Sequence, residues 1–166
     1  YIKEEEFTRA VSLGLFDYLR KSRSNGFTIS LSGGADSSAC LALCSYMILL
    51  AEESIGFDKL KQKLHYIPAI SRCQNTKEIT SHLIQTIYQG TKNSSTDTLL
   101  SAKNLAEGIG AVFFDINIDS LVAEYTTLIE KQLNRSLSWD TDDIALQNIQ
   151  ARVRAPSVWL LTNTSN

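Results

Sequence analysis

Apolar residues Phe7, Val11, Leu15, Tyr18 and Leu19 recur at helical spacing and predict a helix over residues 5–23, closed by the polar run Ser22-Arg23-Ser24-Asn25-Gly26. Phe27-Thr28-Ile29-Ser30-Leu31 predicts a short buried strand. The next residues, 32–35, open a second helix that runs to about residue 53. His65-Tyr66-Ile67-Pro68-Ala69-Ile70 predicts a second strand, ended or confined to an edge by Pro68. Helical patterns follow over residues 76–88 and 96–108, the latter capped by Ser95 or Thr96. Ala111-Val112-Phe113-Phe114-Asp115-Ile116 predicts a third strand, and Asp119 caps a helix to about Leu133. Asp142 or Asp143 starts a helix through Asn148 to Arg154, and residues 155–163 read as helix again.

Strands alternating with helices require parallel pairing with crossovers. The fold class expected is therefore α/β, a doubly wound parallel sheet with helices on both faces. No internal repeat, low-complexity segment or composition break marks a second domain, so residues 1–166 read as one domain.

Composition adds exclusions more than identity. With 43% hydrophobic and 20% charged residues over 166 positions, the chain is ordinary globular protein. A net charge of -2 supplies no basic field for nucleic acid. Cys40, Cys44 and Cys73 are odd in number and form no C-x-x-C pair, which suits a reducing compartment. The most apolar stretch, residues 39–51, is too short for a membrane span, and the acidic start Tyr1-Ile2-Lys3-Glu4-Glu5-Glu6 has no secretory core. These features lead to an expectation of a cytoplasmic protein without a membrane partner. The opening on Tyr1 and the stop after Asn166 lead to an expectation of a domain incomplete at both ends.

The chemistry concentrates after the first strand, in Ser32-Gly33-Gly34-Ala35-Asp36-Ser37-Ser38. Parallel sheets bind ligands at the carboxyl ends of their strands, where this run falls. Gly33 and Gly34 leave the backbone open to an anion, so that several N–H groups turn toward one centre. The helix that follows offers its unpaired N–H groups and partial positive end. Ser32, Ser37 and Ser38 add hydroxyl donors, and together these suit a pyrophosphate. Asp36 would repel phosphate unless it holds a divalent cation shared with the phosphate oxygens, an arrangement usual for magnesium. The plainer alternative is a glycine turn with Asp36 stabilising a helix start.

Other candidates are weaker. The chain has no Gly-Lys pair and hence no P-loop, and Gly108-Ile109-Gly110 precedes a strand and reads as a helix stop. His65 and His82 have no partners at metal spacing and read as surface or packing residues. Cys40 and Cys44 share one helix face and read as core. Lys92 sits in a polar turn from which it could reach a phosphate. Asn148 and Arg152, four apart, share a helix face, as do Gln150 and Arg154; an amide and a guanidinium so placed bind carboxylate or phosphate. The alternative there is a solvated basic face pairing with Asp142 and Asp143.

The run S-G-G-x-D-S-S resembles the signature of the N-type ATP pyrophosphatases. Residues 14–22, 27–38, 88–95 and 143–152 further resemble the synthetase part of the glutamine-dependent NAD synthetases, the last phrase (Asp143-Ile144-Ala145-Leu146-Gln147-Asn148-Ile149-Gln150-Ala151-Arg152) being the most discriminating. The resemblance implies an adenine nucleotide alpha hydrolase-like fold and an ATP-dependent ligase. Deamido-NAD is adenylated and then amidated by ammonia, drawn from glutamine in a parent enzyme. By the same resemblance Ser30, Leu31, Ser32, Gly33, Gly34, Ala35, Asp36, Ser37 and Ser38 cradle ATP, with Thr164 as a further contact. Ser32 and Asp36 act catalytically, Asp36 binds Mg2+, and Asn148 and Arg152 contact deamido-NAD. It also implies a homo-oligomer, a dimer or larger.

The chain departs from the family pattern in lacking a preceding glutaminase domain and the stretch after Asn166 that carries an acidic residue and a lysine. Only nine residues separate Arg154 from Thr164, too few for a helix and the strand expected before T-S-N, so the spacing predicts a physical gap close to Asn163. Two other functions fit the same loop: a related amidation such as that of GMP synthetase, or an ATP-binding module without catalysis.

Overall fold

The computed structural model describes residues 2–164. Helix α1 (Lys3–Ser22) leads into strand β1 (Phe27–Ser30), and α2 (Ala35–Ile55), α3 (Phe57–Lys63), a 3-10 helix (Pro68–Arg72) and α4 (Thr76–Leu83) cross over to β2 (Ile84–Gly90). Helix α5 (Thr96–Ile109) crosses to β3 (Val112–Asn117), and α6 (Asp119–Leu133), α7 (Asp143–Arg152) and α8 (Arg154–Thr164) follow. The strands form one parallel sheet in the order β1-β2-β3, with Ser30 opposite Ile87 and Gly90 opposite Asn117. All three carboxyl ends therefore point the same way.

Alternation along the strands assigns the two faces of the sheet. Phe27, Ile29, Ile84, Tyr88 and Phe113 join the core beneath α2, α4 and α5, where Leu41, Met47, Ile48, Ile79 and Leu83 are fully or almost fully buried. Each such aliphatic side chain contributes roughly 1.5–3 kcal/mol relative to exposure. The opposite face carries polar pairs: Gln85 donates to Thr28 Oγ1 (2.7 Å), and Ser30 donates to Gln89 Oε1 (3.1 Å). Helix α8 lies on this face against β1. Its first carbonyl, on Arg154, meets Gln89 near the carboxyl end, and its Thr162 lines a cleft with Gly26, Phe27, Thr28 and Gln85 at the amino end. Thus α8 runs antiparallel to the strands.

Several sequence expectations need correction. Residues 65–70 form a turn and a 3-10 helix, not a strand. Leu64, Ile67, Ile70 and Cys73 are buried at intervals of three, the period of that helix, and Pro68 starts it. The helical pattern over 76–88 hides the central strand, because α4 passes into β2 at Ile84 without a turn residue. Asp119 does not cap α6: the N-cap position is Ile118, and the Asp119 N–H is taken by Asn117 Oδ1 (2.8 Å). Cys40 is exposed whereas Cys44 is buried, and burial pushes the Cys44 thiol up to about 11. By length and composition α2 is long and apolar enough to cross a membrane, because the helix extends past residues 39–51 at both ends. In the fold it is the central core helix, packed on α1, α3, α4, α5 and β1.

Candidate active site

The residues from β1 into α2 make a tight, self-bonded loop. Leu31 is fully buried, and its N–H donates to Ile87 O (2.9 Å), which pins the strand end. Ser32 N–H donates to Ser37 Oγ (3.2 Å), and Gly34 N–H donates to Ser32 Oγ (3.3 Å). Ser37 and Ser38 hydroxyls donate to Gly34 O at 3.1 and 2.8 Å. The serines expected to serve a ligand also hold the loop in shape.

Gly33 is required twice over. Its φ of +81° is left-handed, and a Cβ there would lie 2.3 Å from Thr98 O, on the first turn of α5. Gly34, at φ -86°, is the N-cap of α2 and receives no side-chain cap. The first turn of α2 therefore presents backbone N–H groups and its positive end outward. Asp36 stands in that turn, exposed, with no hydrogen bond or ion pair among the described residues. No group of three or more His, Cys, Asp or Glu residues able to hold a metal occurs among the described residues. A single exposed carboxylate in the open first turn of a helix fits magnesium, which keeps waters and substrate phosphates as its other ligands.

Beside the loop, Ser95 caps α5 by accepting from Thr98 N (3.2 Å), and Thr98 Oγ1 bonds Tyr88 OH (2.9 Å). The turn after β2 is closed by Thr91 N–H to Ser94 Oγ (2.9 Å) and tied to α6 by Lys92 N–H to Asp119 Oδ2 (2.8 Å). Lys92, Asn93, Asp119, Thr126, Trp139 and Gln150 line an open cleft of about 570 Å³ between this turn, α6 and α7.

Asn148 and Arg152 are both exposed on α7, with no partner among the described residues. Of the pairing that a solvated face would make with Asp142 and Asp143, the Asp142 part is not seen, because Asp142 pairs elsewhere. Arg135 binds it with two parallel hydrogen bonds (2.8 and 2.7 Å), and Thr141 Oγ1 and Ser138 N–H also donate to it. The guanidinium of Arg135 holds the Asp142 carboxyl well below the usual carboxylate range. This knot ties the end of α6 to the start of α7.

One expectation fails at α8. The helix runs unbroken through Asn163 and Thr164, whose hydroxyl donates to Leu160 O (2.9 Å), so no gap lies there. Thr164 also lies past Thr162, at the amino end of the sheet, and is not brought to the 32–38 loop. The remainder of its T-S-N triplet lies outside the described residues. Conversely, sequence reasoning missed Gln89, Thr98 and Asp119 as parts of the site. Gln89 stands in a phrase singled out for resemblance, but its segment read as the end of a helix.

The NAD synthase family model matches residues 7–166. The chain is similar to the curated glutamine-dependent NAD(+) synthetase of Oryza sativa subsp. indica, 36% identical over 171 residues, which cover 96% of this chain and 23% of the relative. The crystal structure of a glutamine-dependent NAD(+) synthetase from Cytophaga hutchinsonii superposes with a TM-score of 0.91 at 47% identity, covering 99% of this chain and 30% of that one. The glutamine-dependent NAD+ synthetase from Acinetobacter baumannii, solved in complex with ADP, matches with a TM-score of 0.71 at 19% identity, a likeness of fold alone; it covers 100% of this chain and 25% of that one. The chain thus spans about a quarter of the length of the relatives it matches.

Proposed function

Because the chain belongs to the NAD synthase family, we propose that it forms the ATP-dependent amidating part of a glutamine-dependent NAD synthetase. The nicotinate carboxylate of deamido-NAD attacks the α-phosphorus of ATP, and pyrophosphate leaves with the bond electrons. Ammonia then adds to the carbonyl of the resulting acyl adenylate, and loss of AMP and a proton gives the amide of NAD. The nucleophile in the first step is already a carboxylate, so the protein must chiefly position two anionic substrates and offset phosphate charge.

The observation that carries this reading is the 32–38 loop. Gly33 is pressed against α5 in a conformation only glycine tolerates, which aims the open start of α2 at the carboxyl end of the sheet. Backbone N–H groups of Gly33 and of residues 35–37 receive the phosphates, with the Ser32 hydroxyl beside them. Asp36 would hold a magnesium ion, whose contribution is to offset phosphate charge. Asn148 and Arg152, exposed on α7 and without a partner among the described residues, suit the second anionic substrate. Ammonia drawn from glutamine, a homo-oligomeric state and a cytoplasmic location complete the proposal; the free Cys40, Cys44 and Cys73 support a reducing compartment.

The test supplies the full-length protein with ATP, magnesium, deamido-NAD and either ammonia or glutamine, and follows pyrophosphate and NAD. Asp36→Ala should lower turnover about 100- to 1,000-fold, the scale for losing one transition-state charge contact. Its folding should change by no more than about 1 kcal/mol, the helix-end term. Wild-type pyrophosphate release that requires xanthylate in place of deamido-NAD would refute the reading.

A further inference from the structure

Resting on that proposed reaction, we infer that Gln89 is a positioning residue that fixes the 32–38 loop and the α7–α8 turn relative to each other. Gln89 is the penultimate residue of the central strand and only 6% exposed. A buried amide is costly unless both of its ends are bonded. Here both are, and to different parts of the site. Its Oε1 accepts from Ser30 Oγ (3.1 Å), and its Nε2 donates to Arg154 O (2.8 Å). Ser30 is the last residue of β1, two before the start of the loop, and Arg154 opens α8, two after Arg152. One planar amide therefore joins the phosphate side to the start of α8, two residues past the end of the helix that carries Asn148 and Arg152.

The arm has few other anchors at this end. Val153 is buried at the turn, and the Arg154 guanidinium folds back onto Gln150 O within the arm itself. Leu146 is the buried residue of α7. The same strand supplies an internal contrast. Gln85 projects from the same face and also bonds β1, through Thr28 Oγ1 (2.7 Å), but it lies at the amino end and, among the described residues, makes no such bond to α8. A glutamine that merely filled polar space between β1 and β2 would resemble Gln85. Gln89 differs in its second bond.

Gln89 touches neither substrate under this assignment, so its loss should leave each subsite intact and disturb their alignment. In the full-length protein, Gln89→Met keeps the volume and removes both bonds. It should lower kcat about 10- to 100-fold, while KM for ATP and for deamido-NAD each change by less than about 3-fold. The Ser30 hydroxyl has one proton and gives it to Gln89, so the phosphate contact that the resemblance implies for Ser30 is not made through it; Ser30→Ala removes only the loop-side bond and should lower kcat by less. The double variant should be no slower than Gln89→Met alone, because Ser30 acts through the amide. Gln89→Glu keeps an acceptor toward Ser30 but sets a carboxylate against the Arg154 carbonyl, and it should resemble Gln89→Met. Gln85→Met is the control, expected to lower thermal stability comparably with kcat within about 2-fold of wild type.

A kcat for Gln89→Met equal to that of Gln85→Met, or strictly additive losses for Ser30→Ala and Gln89→Met, would overturn the inference. If Gln89→Met does not fold, Ser30→Ala and Gln89→Glu decide it in the same way. A readout without turnover separates this inference from the reaction on which it rests. Addition of ATP should slow amide exchange at residues 151–155 in wild type and not in Gln89→Met. That linkage in a wild-type protein that makes no NAD would overturn the reaction and leave the coupling standing. NAD formation with no linkage and no kcat loss in Gln89→Met would overturn the coupling alone.

Discussion

The 32–38 loop and the α7–α8 arm both serve the carboxyl end of the sheet, yet different forces hold them in place. The loop is built from its own backbone: a buried leucine before it, a left-handed glycine within it and serine hydroxyls across it. It is backed by the central core helix on one side and the first turn of α5 on the other. The arm has almost no core of its own, with Leu146 and Val153 as its buried side chains and long exposed apolar surfaces at Ile144, Trp159 and Leu160. Directed polar contacts hold it, the Arg135–Asp142 knot at its start and the Gln89 amide at the turn between α7 and α8, while α8 packs on β1. Local geometry preorganises the half that would take the nucleotide. The half that would take the second substrate is placed from a distance.

The harshest way to break the comparison is Gly33→Ala. The left-handed φ alone costs about 1–3 kcal/mol, and the 2.3 Å clash with Thr98 O must in addition push α5 away. Denaturant unfolding should show that loss, and ATP affinity should fall with it. Gly34→Ala sharpens the point, since its Cβ would meet only Ser32 Oγ at 3.4 Å in an ordinary φ. It should cost under about 1 kcal/mol. Equal effects at the two glycines would mean that the loop is not held by its backbone.

A smaller effect is expected on the arm. Arg152→Ala should raise KM for deamido-NAD about 10-fold, near 1.4 kcal/mol of lost charge-assisted bonding, without changing KM for ATP. Its side chain is exposed and has no partner among the described residues, so folding stability should stay within about 0.5 kcal/mol of wild type. A loss of stability comparable to that of Gly33→Ala would show that the arm is part of the core after all.

The mildest probe is acid. Arg135, then Thr141 and the Ser138 N–H, depress the Asp142 carboxyl below its usual value of 3.8. A group whose folded pKa is depressed adds stability above its unfolded pKa and loses it as pH falls through the folded one. The α6–α7 connection should therefore loosen only well below pH 3.8. Trp139, inside that connection, reports it by fluorescence in a Trp159→Phe background. In Asp142→Asn the acid step should vanish and the looser signal persist at neutral pH. A step unchanged in Asp142→Asn would assign it to another carboxylate.

The 32–38 loop, β1, α2, β3 and the Ser95 cap were readable along the chain because each depends on neighbours in sequence. A strand ends in glycines and a helix begins, and a serine sits three residues before the N–H it accepts from. Strand β2 was not readable for the opposite reason. Buried on both faces from Thr86 to Gln89, it loses the alternation that marks a half-buried strand, and its apolar spacing continues that of α4. Residues 65–70 failed because a three-residue period and an apolar strand look alike over one turn. The place of Thr164 was not readable, because resemblance to a family triplet says nothing about where a helix of eleven residues carries it.

The amino-acid sequence by itself determined the glycine-serine loop between β1 and α2, the carboxylate at its helix start and the family, since these reside in contiguous residues whose backbone demands are local. Only the tertiary structure decided that Gly33 must clear Thr98, that Asp119 holds the turn at Lys92, and that Gln89 bonds Ser30 on one side and Arg154 on the other. Those contacts join residues as many as 65 positions apart. Their partners are selected by sheet register and by the antiparallel course of α8, which no local spacing encodes.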